Sequence, residues 1–112
     1  MQSTFSALAE PNRLAIVQLL RRKPLPVGEI AARLDLRQPQ VSKHLRVLSA
    51  AGLVQVRPVA QQRIYALRPE PLKELDAWLE QFRRSWDERF ERFDEVLRTR
   101  KETGEKTNAR NT

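Results

Sequence analysis

Apolar residues at positions 72, 75, 79, 82, 86, 90, 93 and 97 recur in steps of three and four. They are Leu72, Leu75, Leu79, Phe82, Trp86, Phe90, Phe93 and Leu97. The spacing is close to a heptad and predicts one long helix, roughly Pro71 to Arg100, with a single apolar stripe. Acidic Glu70, Glu74 and Asp76 lie early in it, and Arg98, Arg100 and Lys101 lie late, which suits the helix dipole. Thirty residues at ~1.5 Å each span ~45 Å. The residues before this helix are too few to cover such a stripe. Leu72 to Leu79 can enter an intramolecular core, but Trp86, Phe90 and Phe93 would stay wet in a monomer. The expectation is a homodimer.

Charge divides the chain at about the same place. Residues 1–67 hold ten Lys/Arg and three Asp/Glu, whereas residues 68–112 hold eleven of each. The entire net charge of +7 therefore sits on the first part. This is the expected footprint of a polyanion-binding unit joined to a charge-balanced element. Acidic residues surround Trp78 and Trp86, which argues against base stacking by either. Glu80–Arg84, Glu88–Arg92 and Asp94–Arg98 are at helical spacing and read as a solvated, salt-bridged face.

The first part breaks into short elements. Residues 3–9 read as a short helix that packs Phe5 and Leu8. A second runs from Pro11 to about Lys23, with Leu14, Val17 and Leu20 as its stripe and Ile16 and Leu19 beside them. Pro24 and Pro26 end it. A third spans roughly Val27 to Leu34. After the tight Asp35-Leu36-Arg37 connection, a fourth covers Gln38 to Ala51, with Val41, Leu45 and Leu48 inward and Gly52 as its left-handed terminator. LVQVRPV and RIYAL, around a tip at Ala60-Gln61-Gln62, read as a β-hairpin over 54–67 with Pro58 at an edge or near the turn. Tyr65 and Leu67 share its inward face.

Two short helices, a tight turn and a basic hairpin make a winged helix-turn-helix. The fold class is mainly α with a small β-hairpin and a long C-terminal dimerisation helix. Residues 1–100 form the DNA-binding and dimerisation domain, and residues 101–112 form a disordered tail. A recognition helix needs an apolar back and a polar front that fits the major groove. Helix 38–51 offers both. Its N-terminal residues are placed for bases. Gln38 and Gln40 suit adenine, Lys43 suits guanine or phosphate, and Ser42 suits base or backbone. Arg46, further along, suits phosphate, and the wing adds Arg57, Gln61, Gln62 and Arg63. His44, the one histidine, lies beside the buried face. It suits a phosphate or scaffold hydrogen bond better than a metal, which needs more ligands.

LAEPNRLAIVQLL, VGEIAARLDLRQPQVSKHLRVLSAAGLV and RIYAL resemble the ArsR-type winged-helix repressors, most closely their cysteine-free, autorepressor-like branch, over about residues 5–97. The resemblance implies a homodimer that binds a palindromic operator, mostly as a repressor. It implies an interface from the first and last helices, here Phe5, Leu8, Leu79, Phe82, Trp86, Phe90, Phe93 and Leu97. Gln38, Ser42 and Lys43 occupy positions that usually touch the operator, and His44 matches a frequent His. Arg37 stands where the family often has a Ser cap, and adds a candidate phosphate contact. One metal-sensor motif of the family uses cysteines where this chain has Pro26 and Gly28. Another uses His on the last helix, which here carries Asp76, Asp87 and Asp94 but no His. Neither sensor fits, so no metal or cofactor is expected, and the sequence identifies no effector.

With no cysteine, disulfides and thiol chemistry are excluded. No signal-like start and no apolar run of ~20 residues is present, so the expectation is a cytoplasmic protein with no membrane partner. No nucleophile–base pair or Gly-rich phosphate loop points to an enzyme. Two other readings compete with a sequence-specific regulator. One is a protein-interaction module, against which the charge asymmetry and polar recognition face argue. The other is a non-specific nucleic-acid binder, whose affinity would survive scrambling of the DNA sequence.

Overall fold

Proline placement and apolar spacing cut the first part of the chain into elements of two to thirteen residues. In the computed structural model these are α1 (Gln2–Leu8), α2 (Pro11–Leu20), β1 (Leu25–Pro26), α3 (Val27–Leu34), α4 (Gln38–Ala50), β2 (Val54–Val59) and β3 (Gln62–Leu67). The last helix, α5, spans Pro69–Asn111. The structure describes the backbone of residues 1–111 and side chains through Lys101. The tail expected over 101–112 lies, Lys101 apart, outside the fully described residues. Residues 1–75 and 76–112 form two units.

The core of the first unit draws one or more residues from nearly every element. Ile16 of α2, Ile30 of α3, Val41, Leu45 and Leu48 of α4, Leu25 of β1 and Leu53 are all but fully buried. The α4 face agrees with the expected Val41, Leu45 and Leu48. Two expectations need correction. In α1 the buried residues are Thr4 and Ala7; Leu8 packs half-buried against the core as expected, whereas Phe5 is exposed. In α2 the stripe is Ile16, Val17 and Leu20, while Leu14 is exposed. Both shifts follow from the 3.6-residue period: a helix of seven or ten residues can present only one narrow face to so small a core.

The sheet has the order β1-β3-β2 and is antiparallel throughout. Pro58 therefore lies on an edge strand, one pair from the turn, where its missing N–H costs nothing. Strand β1 was not expected. It is two residues long, and Leu25 pairs with Tyr65 and Pro26 with Ile64. Prolines on both sides of Leu25 read as a helix stop and hide so short a strand.

Caps mark the joints. Glu10 caps α2, its Oε2 accepting the Arg13 N–H at 2.8 Å. Asp35 ends α3 in the left-handed region, φ 54°, which Asp tolerates better than most residues. Leu36 N–H then returns to the Ala31 carbonyl at 3.0 Å. Gly52, φ 75°, takes the left-handed position after α4 as its sequence context predicts. Arg37 at the N-cap of α4 has an extended backbone, φ −78° and ψ 143°, but supplies no side-chain acceptor.

In the second unit the aromatic side chains of α5 ladder along one side. Trp78 and Phe82 meet edge-on at 4.6 Å between ring centroids, and Phe82 and Trp86 lie tilted at 6.0 Å. Glu80 pairs with Arg83 at 3.2 Å, one residue short of the expected Arg84. No helix among the described residues is long and apolar enough to cross a membrane.

Three stability outcomes follow from the core and the caps. Leu45→Ala empties a site that is 1% exposed and should cost about 2–5 kcal/mol. Val47→Ala on the same helix, 42% exposed, should stay within about 0.5 kcal/mol of wild type. Urea unfolding at one fixed protein concentration checks both. Arg37→Ser supplies the missing acceptor and should raise stability by about 0.5–2 kcal/mol, seen as a higher urea midpoint at unchanged slope.

Candidate nucleic-acid interface

The buried stripe of α4 fixes the rotation of the helix about its axis, and so fixes what faces water. Lys43 and Arg46 lie opposite the stripe and are exposed. Gln38 and Ser42 fall on one flank, Gln40 and His44 on the other. Among these four, Gln38 and Gln40 are exposed and Ser42 and His44 are half-buried.

The two flanks are used differently. On the far flank, Gln40 Oε1 accepts the backbone N–H of Arg37 at 3.2 Å. Gln40 thereby caps the helix from its N3 position, half of a capping box. Its amide oxygen is committed to the backbone, which weakens it as a bidentate reader of adenine. His44 Nδ1 lies 3.6 Å from Glu10 Oε2, the same atom that caps α2. This is close enough to attract a protonated imidazole and too long for a good hydrogen bond. His44 thus touches the scaffold.

The near flank opens on the wing. Gln38 lines a cleft of about 610 Å³ with Gln61, Gln62 and Arg63, closed on the α3 side by Gly28 and Glu29. Gln38 folds back over α3: its Nε2 lies 3.1 Å from where a β-carbon on Gly28 would stand. The hairpin tip is the two-residue link Ala60-Gln61 between the paired Val59 and Gln62. Ala60 holds φ 55°, a left-handed conformation costing about 1–2 kcal/mol for a residue with a β-carbon.

The two wing arginines separate. Strand alternation puts Arg63 on the face of Tyr65 and Leu67, and Arg57 on the opposite face with Val59, Ile64 and Ala66. Arg57 lines a shallow hollow there with Pro24. The structure therefore brings Gln38, Gln61, Gln62 and Arg63 to one cleft, presents Lys43 and Arg46 on the outer face of α4, and leaves Arg57 on the far side of the wing. Sequence reasoning missed Gly28 in this setting. Its only signal was a glycine in the first turn of an otherwise good helix, where it weakens the helix unless something must pass close.

Comparison with known proteins gives the family of the fold that carries these residues. Residues 8–57 match the family model described as a helix-turn-helix domain. The chain is 45% identical over 78 residues to the HTH-type transcriptional regulator Rv2034 of Mycobacterium tuberculosis, covering 70% of this chain and 73% of that one. Among solved structures it is similar to the ArsR-like transcriptional regulator from Rhodococcus sp. RHA1, with TM-score 0.71 and 28% identity over 88% of this chain and 90% of that one. It is also similar to the homodimeric winged helix-turn-helix DNA-binding domain of Mb0332 from Mycobacterium bovis, a possible ArsR-family regulator. There the TM-score is 0.62 and the identity 27%, over 72% and 75% of the two chains. Further curated relatives carry the names of repressors, and one that of an activator. The chain spans 51% of the length of the first of these. The chain belongs to the ArsR-type winged helix-turn-helix family, whose members are DNA-binding transcriptional regulators and not enzymes.

Proposed function

We propose that this regulator acts as a homodimer that recognises a palindromic operator through α4 and the wing, and that it represses transcription. One observation carries the reading: the only face of α4 free of the core presents Lys43 and Arg46, and its wing-side flank adds Gln38, Gln61, Gln62 and Arg63 at one cleft. Amides offer paired donors and acceptors for base edges, Lys43 suits guanine, and the arginines neutralise phosphates. Gln38 is the stronger base reader of the two glutamines, because Gln40 is engaged at the cap. Ser42 at the flank suits base or backbone, and Arg37, Arg46 and Arg57 suit phosphate. His44 lies on the scaffold side of α4, against Glu10, rather than toward DNA. Repression is supported by the names of several relatives.

The dimer rests on α5. Leu79, Phe82, Trp86, Phe90, Phe93 and Leu97 are all exposed in the single chain, Phe90 by 61%. So many large apolar groups in heptad register call for a second copy. Phe5 on α1, also exposed, and Leu8 extend the proposed interface. A two-fold dimer reads half-sites ~34–36 Å apart, or a multiple of that spacing.

Selection from a random duplex pool should enrich an inverted repeat, bound about 10³-fold or more above a scrambled duplex. Gln38→Ala and Lys43→Ala should each remove much of that preference, by about 5- to 100-fold for a lost bidentate base pairing. No enrichment at all would reject DNA reading in favour of a protein-interaction module. Equal binding of both duplexes that collapses with salt would leave only phosphate contact. Phe90→Asp should convert the dimer to monomer in sedimentation at micromolar concentration; an unchanged dimer would place the interface elsewhere.

A further inference from the structure

Gly28 sits in the first turn of α3, not on the recognition helix, yet it lies against the residue best placed to read a base. An ideal β-carbon there would stand 3.1 Å from Gln38 Nε2 and 4.0 Å from its Cδ. The first distance is tighter than ordinary van der Waals contact, so a β-carbon at 28 would shift the amide by a few tenths of an ångström. Gly28 needs no glycine for its own backbone: its φ is not positive, whereas that of Gly52 is. In a helix, glycine costs about 1 kcal/mol relative to alanine. Its conformational freedom is unused here, and what it supplies is room.

That room is filled by Gln38. Gln38 is an exposed side chain with three rotatable bonds, the kind that loses much freedom when it docks on a base. Resting over Gly28, the amide lies against the first turn of α3, a contact that favours this orientation over those pointing into solvent. Its amide keeps both donor and acceptor, for among the described residues it has no hydrogen-bond partner, unlike Gln40. Gln61, Gln62 and Arg63 border the same cleft from the wing. A preset amide at the mouth of the cleft is a preorganised reader, and preorganisation raises affinity by lowering the cost of ordering.

We propose that Gly28 is a specificity-determining position of this regulator: by lacking a β-carbon it seats the Gln38 amide over α3 in the orientation that reads the operator. This rests on the DNA-reading function proposed above. Gly28 is a positioning residue and touches no base itself.

The inference separates stability from recognition, because Gly28→Ala should improve the helix and harm the reading. The test takes the full chain, as wild type, Gly28→Ala, Gln38→Ala and the double variant, through the same random-duplex selection and through titration on the wild-type selected duplex. Expected are an unchanged or raised unfolding midpoint for Gly28→Ala and a loss of affinity of about 3- to 10-fold, the scale of fixing one flexible side chain. The base preference should relax at the one position per half-site that Gln38→Ala also relaxes. In the Gln38→Ala background, Gly28→Ala should cost nothing further. Equal losses in both backgrounds, or relaxed preference at a different base, would overturn the positioning role while leaving DNA reading intact. Unaltered affinity and preference in Gly28→Ala would overturn it as well. A wild-type protein that selects no sequence would overturn both, and that result is distinguishable because it appears before any variant is compared.

Discussion

The burial of Val41, Leu45 and Leu48 is the constraint from which the rest of the site follows. Each is at most 1% exposed, against a core that includes Ile16, Ile30 and Leu53. Burying one such side chain contributes about 1.5–3 kcal/mol. Three on one helix give a torque that leaves only one rotation of α4 about its axis. The reading face is therefore the complement of the packing face. Lys43 and Arg46 face out because positions 41, 45 and 48 face in. A one-residue slip of that spacing, to positions 42, 46 and 49, would turn Arg46 toward the core, where unpaired charge is costly.

The same logic explains how short helices are held around α4. Glu10 places one carboxylate oxygen 2.8 Å from the Arg13 N–H and 3.6 Å from His44 Nδ1, so the start of α2 and the flank of α4 meet at one atom. Arg13 then turns its guanidinium to the end of α1, donating to the Ala7 carbonyl at 2.7 Å and the Ser6 carbonyl at 3.2 Å. Carbonyls at a helix end lack their usual helical partners (Ser6 has only a long bond from the Ala9 N–H), and a cation is the right charge for them. Helix α1, seven residues long, could not persist on its own propensity. It is held by Thr4 and Ala7 in the core and by Arg13 at its end.

Much of this was legible in the sequence because it rests on period and punctuation. The bounds of α3, the inward face of α4, the left-handed Gly52 and the edge position of Pro58 all follow from residue type at a stated spacing. What was not legible depends on contacts between segments distant in the chain. Strand β1 exists because Leu25 and Pro26 lie beside Tyr65 and Ile64, and two residues carry no pattern of their own. The division between Arg57 and Arg63 requires the hairpin register, which fixes which odd-numbered residues share a face. Gln38 and Gln40 look equivalent in the sequence and differ only because one bonds the Arg37 backbone and the other rests over Gly28.

Local rules are broken at several places, Asp35 and the uncapped starts of α1 and α3 among them, and three of these breaks lie in or beside residues of the proposed reading surface. Arg37 occupies an N-cap without an acceptor, Gly28 weakens the first turn of α3, and Ala60 holds a positive φ at the wing tip. Each has an evident more stable alternative: Ser at 37, Ala at 28, Gly at 60. Departures of this kind are expected where a chain gives up stability for recognition. Arg37 exchanges a cap for a cation at the start of α4, and Gly28 exchanges helix propensity for space that Gln38 fills. Ala60 carries strain beside Gln61, on the wing side of the same cleft. The core, by contrast, holds only one buried polar residue among the described residues, Thr4. A well-satisfied apolar core can sustain three such departures, because each costs about 1–2 kcal/mol at most. Gly28 lines the cleft itself, and Arg37 and Ala60 each adjoin a residue that does, Gln38 and Gln61, so these three departures sit where side chains of the proposed reading surface are positioned.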